Sequence, residues 1–153
     1  MADKPKVIKI LLVEDNPDDI LITEKAIKVA EILNQLWVAR DGQEALDFLR
    51  HKGKYKDRAN SPRPGLIFLD INLPKIDGIE VLKSIKQDPA LKKIPVVMLT
   101  MSKRDEDILK SYDSGCNSFI QKPVEFEKFV EIVKQIGLYW GLLNIALPEE
   151  AQE

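Results

Sequence analysis

Very little in this chain of 153 residues can be cross-linked: it has a single cysteine, Cys116, so no internal disulfide is open to it. Only one histidine, His51, is present, which rules out the His/Cys clusters of a zinc site. No basic excess exists either. With 23 Lys and Arg against 25 Asp and Glu the formal charge is -2, and such a balance excludes the cationic stripe of a nucleic-acid binder. The start, Met1-Ala2-Asp3-Lys4-Pro5-Lys6, lacks the apolar core of a secretory signal. No apolar run approaches the ~18 residues of a membrane span. The expectation is a cytoplasmic chain with no nucleic-acid or membrane partner.

What is present is an apolar content of 44%, enough for one domain burying roughly 70% of its unfolded surface. Strand and helix patterns alternate. The nearly continuous apolar run Ile8-Lys9-Ile10-Leu11-Leu12-Val13 suits a strand covered on both faces. Asn16-Pro17 then opens a helix, Asn as cap and Pro in the first turn, with Ile20, Ile27, Ala30 and Leu33 on one face and Leu21 alongside. Leu36 to Ala39 reads as a second strand, and Asp41-Gly42 precedes a helix carrying Ala45, Leu46, Phe48 and Leu49. Three further strand and helix pairs are expected near 66-70 with 79-87, 95-100 with 105-114, and 118-122 with 125-139. Five βα units of this kind specify an α/β fold with a parallel sheet. Trp37 and the strand aliphatics are assigned to its core.

Two stretches interrupt the alternation. Residues 52-65 carry Lys52, Lys54, Lys56, Arg58 and Arg63 with two Pro and two Gly, and read as a long solvated surface loop, with partner contact as the other reading. Residues 138-148, Leu-Tyr-Trp-Gly-Leu-Leu-Asn-Ile-Ala-Leu-Pro, form an apolar extension that must be covered, and burial against a second copy of the chain is favoured over packing back on its own domain.

The chemistry gathers where strands end. Asp70 follows Leu66-Ile67-Phe68-Leu69, the acidic pair Glu14-Asp15 follows the first strand, Thr100 ends the run 95-99, and Lys122-Pro123 follows Phe119-Ile120. In an open parallel sheet the carboxyl ends of the strands share one edge, where ligands bind. Three carboxylates brought together there would repel one another and raise at least one pKa without a cation, and Mg²⁺ suits an all-oxygen set. The Lys122 ammonium and the Thr100 hydroxyl add donors for phosphoryl oxygens. The set describes an aspartate that attacks phosphorus.

Val13-Glu14-Asp15-Asn16, Asp70-Ile71-Asn72-Leu73-Pro74 with Asp77-Gly78, Leu99-Thr100-Met101-Ser102 and Lys122-Pro123 resemble, in order and spacing, the receiver domain of two-component response regulators. The resemblance covers roughly residues 6-138, leaving 139-153 as a C-terminal extension for dimerisation or packing. It implies a flavodoxin-like (βα)5 fold, a doubly wound five-stranded parallel sheet in three layers α/β/α. It also implies that Asp70 accepts a phosphoryl group from the phosphohistidine of a sensor histidine kinase. Asp15 and Asp70 would bind Mg²⁺ directly, Asn72 through its backbone carbonyl, and Glu14 mainly through water. Lys122 would pair with the phosphoryl group, its bond to Pro123 being cis in the family. Thr100 and Phe119 would form a switch reporting on the surface built from the segments near 105-114, 118-122 and 125-139. Such a protein is a phosphoacceptor that catalyses its own transfer and slow dephosphorylation, not an enzyme in the ordinary sense.

Two positions depart from the family pattern. Met101 stands where a small residue is usual and should crowd the phosphoryl pocket, slowing the access of water and small donors. Phe119 stands where Tyr is frequent, so a hydroxyl is missing from the switch. The long loop before Asp70 and the tail around Tyr139-Trp140 and Leu147-Pro148 are similar to the single-domain regulators served by phytochrome-type kinases, in which the extension supports a homodimer. No output domain is expected after the receiver, so the signal should pass through protein contact.

Other functions fit less well. A haloacid-dehalogenase phosphatase needs a second Asp two residues after the nucleophile, and Asn72 stands there. A nucleotide-binding turn needs glycines after a strand, where Glu14-Asp15-Asn16-Pro17 is found. A pseudo-receiver adaptor that keeps the fold without using phosphate remains the alternative. His51 is expected at the surface, Cys116 to be structural, and Asp18 and Asp19 to serve the helix dipole.

Overall fold

The computed structural model describes residues 7-31, 34-100, 112-116, 118-121 and 125-138. Five strands, β1 (Ile8–Val13), β2 (Asn34–Ala39), β3 (Leu66–Asp70), β4 (Val96–Thr100) and β5 (Ser118–Gln121), form one sheet in the order β2-β1-β3-β4-β5. Every pairing is parallel. Among the described residues four helices accompany it: α1 (Pro17–Val29), α2 (Gly42–Arg50), α3 (Gly78–Gln87) and α4 (Phe126–Leu138). The helix expected at 105-114 falls largely outside the described residues.

Alternate side chains of each strand enter opposite cores, as the period of two requires. Leu11, Val13, Ile67, Leu69 and Met98 pack with Leu46, Phe48, Leu82 and Ile85 of α2 and α3 on one face. On the other, Ile10, Leu12, Phe68, Val97 and Leu99 pack with Ile20, Ile27, Phe129 and Val133 of α1 and α4. The result is the expected α/β/α layering. β3 is buried along its whole length, so a truncation such as Phe68→Ala would cost about 3–5 kcal/mol.

The helix starts follow local chemistry. Asn16 Oδ1 accepts hydrogen bonds from the Asp18 and Asp19 amides at 2.9 and 3.2 Å, Asp41 Oδ1 from the Glu44 amide at 2.7 Å, and Asp77 Oδ1 from the Glu80 amide at 3.0 Å. Each satisfies a donor that the first turn leaves open. Asp18 and Asp19 thus lie in the first turn of α1, as expected.

Four expectations need correcting. Leu21 does not share the buried face of α1 but is 56% exposed, because it lies ~100° around the helix from Ile20. Trp37 is only partly buried, since β2 is an edge strand; its ring meets Phe48 at 6.3 Å between centroids. Residues 52-65 are not merely a solvated loop: they form two short 3-10 turns, Gly53–Tyr55 and Arg58–Asn60, and bury Ser61 completely. Tyr55 pins this segment to α2 by a hydrogen bond from its hydroxyl to Glu44 Oε1 at 2.9 Å and an edge contact with Phe48. Burial first, and then this bond, push the Tyr55 phenol well above its ordinary pKa. His51, finally, is half-buried rather than superficial, its Nδ1 lying 3.0 Å from Ser61 Oγ.

Candidate phosphoryl-acceptor site

The chain reverses its winding at β1: β2 lies on one side of it and β3 on the other. This is the topological switch point at which open α/β sheets bind ligands. The β1/β3 register pairs Val13 with Leu69, so the next residues, Glu14 just past β1 and Asp70 at the end of β3, come to lie side by side. Residues 56 positions apart in sequence become neighbours because parallel strands end on a common edge.

Glu14, Asp15 and Asp70 offer carboxylate oxygens that all lie within 4.8 Å of one another. Glu14 is 1% exposed and Asp70 6%, whereas Asp15 faces solvent. Three charges this close, two of them buried, repel strongly in a medium of reduced dielectric. A divalent cation matches the set: the donors are hard oxygens, which favour Mg²⁺ or Mn²⁺ over softer metals.

The loop after β3 is shaped around the same point. The Asn72 amide donates to Asp70 Oδ1 at 3.2 Å, fixing the carboxylate from within its own turn. The Gly78 amide donates to the Ile71 carbonyl at 2.8 Å, closing the loop that carries Asn72 and Pro74. Close approach elsewhere requires glycine at Gly42, where a Cβ would meet the Ile76 carbonyl oxygen at 2.1 Å. Lys75, with φ of 67°, reaches Asp41 Oδ2 at 3.3 Å and ties the loop to the start of α2. Burial works against the Asp41 charge, but the Glu44 amide and Lys75 outweigh it and hold the carboxyl below its ordinary value. In the sequence Asp77-Gly78 stands out only as part of a motif, Gly42 only as the start of a helix, and Lys75 not at all. Signals existed for Gly42, which follows a capping Asp, and none for the φ of Lys75.

Thr100 is placed as the last residue of β4, opposite Gln121, and Phe119 in β5 opposite Met98. Their backbones lie on the strands that continue the sheet from β3; their side chains, with Met101, Lys122, Pro123 and the segment 139-153, lie outside the described residues.

The response regulator receiver domain model matches residues 10–134. The chain belongs to the response regulator receiver-domain family. This receiver is 43% identical over 147 residues to response regulator Rcp1 of Synechocystis sp., covering 96% of each chain. It is 39% identical over 140 residues to the probable methanogenesis regulatory protein FilR2 of Methanothrix harundinacea, covering 91% of this chain and 86% of that one. Among solved structures it resembles the phosphorylated cyanobacterial phytochrome response regulator RcpA, with a TM-score of 0.83 and 43% identity over 94% of this chain and 100% of that one. The bacteriophytochrome response regulator AtBRR is 45% identical with a TM-score of 0.73, over 92% and 100% of the two chains. The Mn²⁺-bound form of Rcp1 is 40% identical with a TM-score of 0.81, over 92% and 99%. No helix among the described residues of the receiver is long and apolar enough to cross a membrane.

Proposed function

We propose that the protein is a cytoplasmic response regulator that accepts a phosphoryl group on Asp70 from a sensor histidine kinase of the phytochrome type. The observation that carries this reading is the convergence of the Glu14, Asp15 and Asp70 carboxylates within 4.8 Å at the switch point of the sheet. The likeness to phytochrome response regulators supports the choice of kinase.

In the transfer, a carboxylate oxygen of Asp70 forms the new P–O bond as the P–N bond to the kinase imidazole breaks, and the imidazole leaves as the neutral ring after taking up a proton. The Asn72 amide holds the carboxylate in place for that attack. Asp15 and Asp70 would hold Mg²⁺, with the Asn72 backbone carbonyl and, through water, Glu14 completing the set; when bound, the ion would supply charge that offsets the carboxylates and the incoming phosphoryl oxygens. Lys122 pairs with the phosphoryl group, and Thr100 and Phe119 pass its presence to the surface near 105-114, 118-122 and 125-139. The protein is then a self-modifying acceptor, not an enzyme, and its extension 139-153 joins two copies into a homodimer.

The test is incubation with Mg²⁺ and either the phosphorylated kinase or acetyl phosphate. An acid-stable, base-labile adduct that vanishes in Asp70→Asn is expected. Absence of the adduct would leave the phosphate-independent adaptor as the better reading, and its persistence in Asp70→Asn would move the phosphoryl group to another residue and overturn the assignment of Asp70. Light scattering at tens of micromolar that returned a monomer, with or without phosphorylation, would dispose of the dimer.

A further inference from the structure

A cavity lies at the opposite edge of the sheet from Asp70. It is framed by the start of β1, the C-terminal ends of α2 and α3, and the 58-64 segment, and has a volume of about 480 Å³. That size falls within the ~300–1,000 Å³ range of small-molecule sites. Its polar lining is Lys9, Arg50, His51, Arg58, Arg63 and Asp88. Four cations thus face one carboxylate. The ends of α2 and α3 add roughly half a negative charge each, so cations still outnumber negative charge among the lining residues.

The arrangement is built. Arg63 is anchored by a hydrogen bond from Nη1 to the Ala90 carbonyl, a neutral acceptor that uses one of its five donors. Arg50 Nε lies 3.6 Å from Asp88 Oδ2. Ser61 Oγ donates to the Tyr55 carbonyl at 3.1 Å and lies 3.0 Å from His51 Nδ1. The rest of the lining is apolar, with Pro62, Pro64 and Leu91. Planar guanidinium forks match the oxygens of phosphate better than a point charge does, and the apolar wall leaves room for an uncharged portion beyond the anion.

We propose that this cavity binds a small organic phosphate of nucleotide size, its phosphate held by Arg58 and Arg63 and its uncharged part against Pro62, Pro64 and Leu91. The site is separate from the acidic cleft. It would let a soluble metabolite act on a receiver from the far side of the sheet.

The test is a titration of the ¹⁵N-labelled full chain, without Mg²⁺, with AMP, inorganic phosphate and adenosine, following backbone amides by NMR. AMP should give saturable shifts at His51, Ser61 and Leu91, about fivefold tighter than inorganic phosphate, with no saturation by adenosine. Arg58→Gln and Arg63→Gln should each weaken AMP by about fivefold or more. Arg58 is exposed, and a substitution at such a position is expected to change stability by no more than about 0.5 kcal/mol, so that arm stands even if Arg63→Gln unfolds. No saturable shift at these amides up to about 10 mM, shifts confined to the neighbourhood of Asp70, adenosine or inorganic phosphate binding as tightly as AMP, or an affinity unchanged in Arg58→Gln would each overturn the proposal.

Discussion

Gly78 packs so closely on Asp70 that a Cβ at residue 78 would sit 2.0 Å from the Asp70 carbonyl oxygen and 2.6 Å from the Ile71 Cα. Neither neighbour is a side chain that can swing aside. The backbone that positions the carboxylate and the start of α3 are therefore one packed unit.

Gly78→Ala is expected to push the β3–α3 loop away and destabilise the fold by about 1–3 kcal/mol, the usual cost of overpacking. It should also weaken Mg²⁺ binding, because Asn72 and Asp70 move with the loop. Urea unfolding and calorimetric titration with Mg²⁺ would measure the two effects. A variant with wild-type values in both would remove the glycine from the account of the site.

Neutralising one carboxylate should separate stability from metal binding. Asp70→Asn is expected to raise the melting temperature of the metal-free chain, by relieving repulsion at a buried cluster. It should at the same time abolish most of the stabilisation that Mg²⁺ gives the native protein. Differential scanning calorimetry with and without Mg²⁺ reads both. If the variant melts below the native chain without metal, the three carboxylates are not in electrostatic conflict.

Tyr55→Phe keeps the edge contact with Phe48 but loses the bond to Glu44. A bond to a carboxylate contributes about 1.5–3 kcal/mol, and Lys54, 3.6 Å from the same oxygen, will recover part of it. A loss near 1 kcal/mol is expected in chemical denaturation. Hydrogen exchange should accelerate locally at residues 53-61, with the β-sheet amides unaffected.

Acid should weaken the fold in two stages. Burial, and then the Arg58 charge, lower the His51 pKa from 6.5, so on acidification the unfolded chain takes up the proton first and stability falls as pH drops through that range. Asp41 has its carboxyl lowered from 3.8; its contribution is complete above that value and is lost as pH falls through the native pKa. Urea midpoints measured between about pH 7.5 and 5 should decline in the native chain and decline less in His51→Gln. An equal decline would show that His51 is not the group responsible.

Much of this was legible in the residues. Ile8 to Val13 and Leu66 to Leu69 read as strands because both faces of each are covered, leaving no polar alternation to confuse them, and Asp70 stood out as a charge at the end of such a run. Asn16 and Asp41 marked helix starts, whereas the capping role of Asp77 became visible only in the structure. The region 52-65 was read only as a solvated loop because its Lys and Arg count outweighed Tyr55, whose contacts with Glu44 and Phe48 of α2 a local window cannot see, and Ser61, which is buried beside Tyr55, Asp57 and His51. His51 was undervalued for the same reason: its significance comes from Ser61, ten residues away, and from a cavity shared with α3. Leu21 was misplaced by one position around α1, where a helical projection through Ile20 and Ile27 already sets it off the buried face.

The pairing of Val13 with Leu69 bears on the timing of competence during synthesis. Glu14 emerges from the ribosome long before Asp70, so the two carboxylates can meet only once β3 has docked beside β1. A nascent or truncated chain that lacks this central strand pair therefore lacks the assembled acidic cluster.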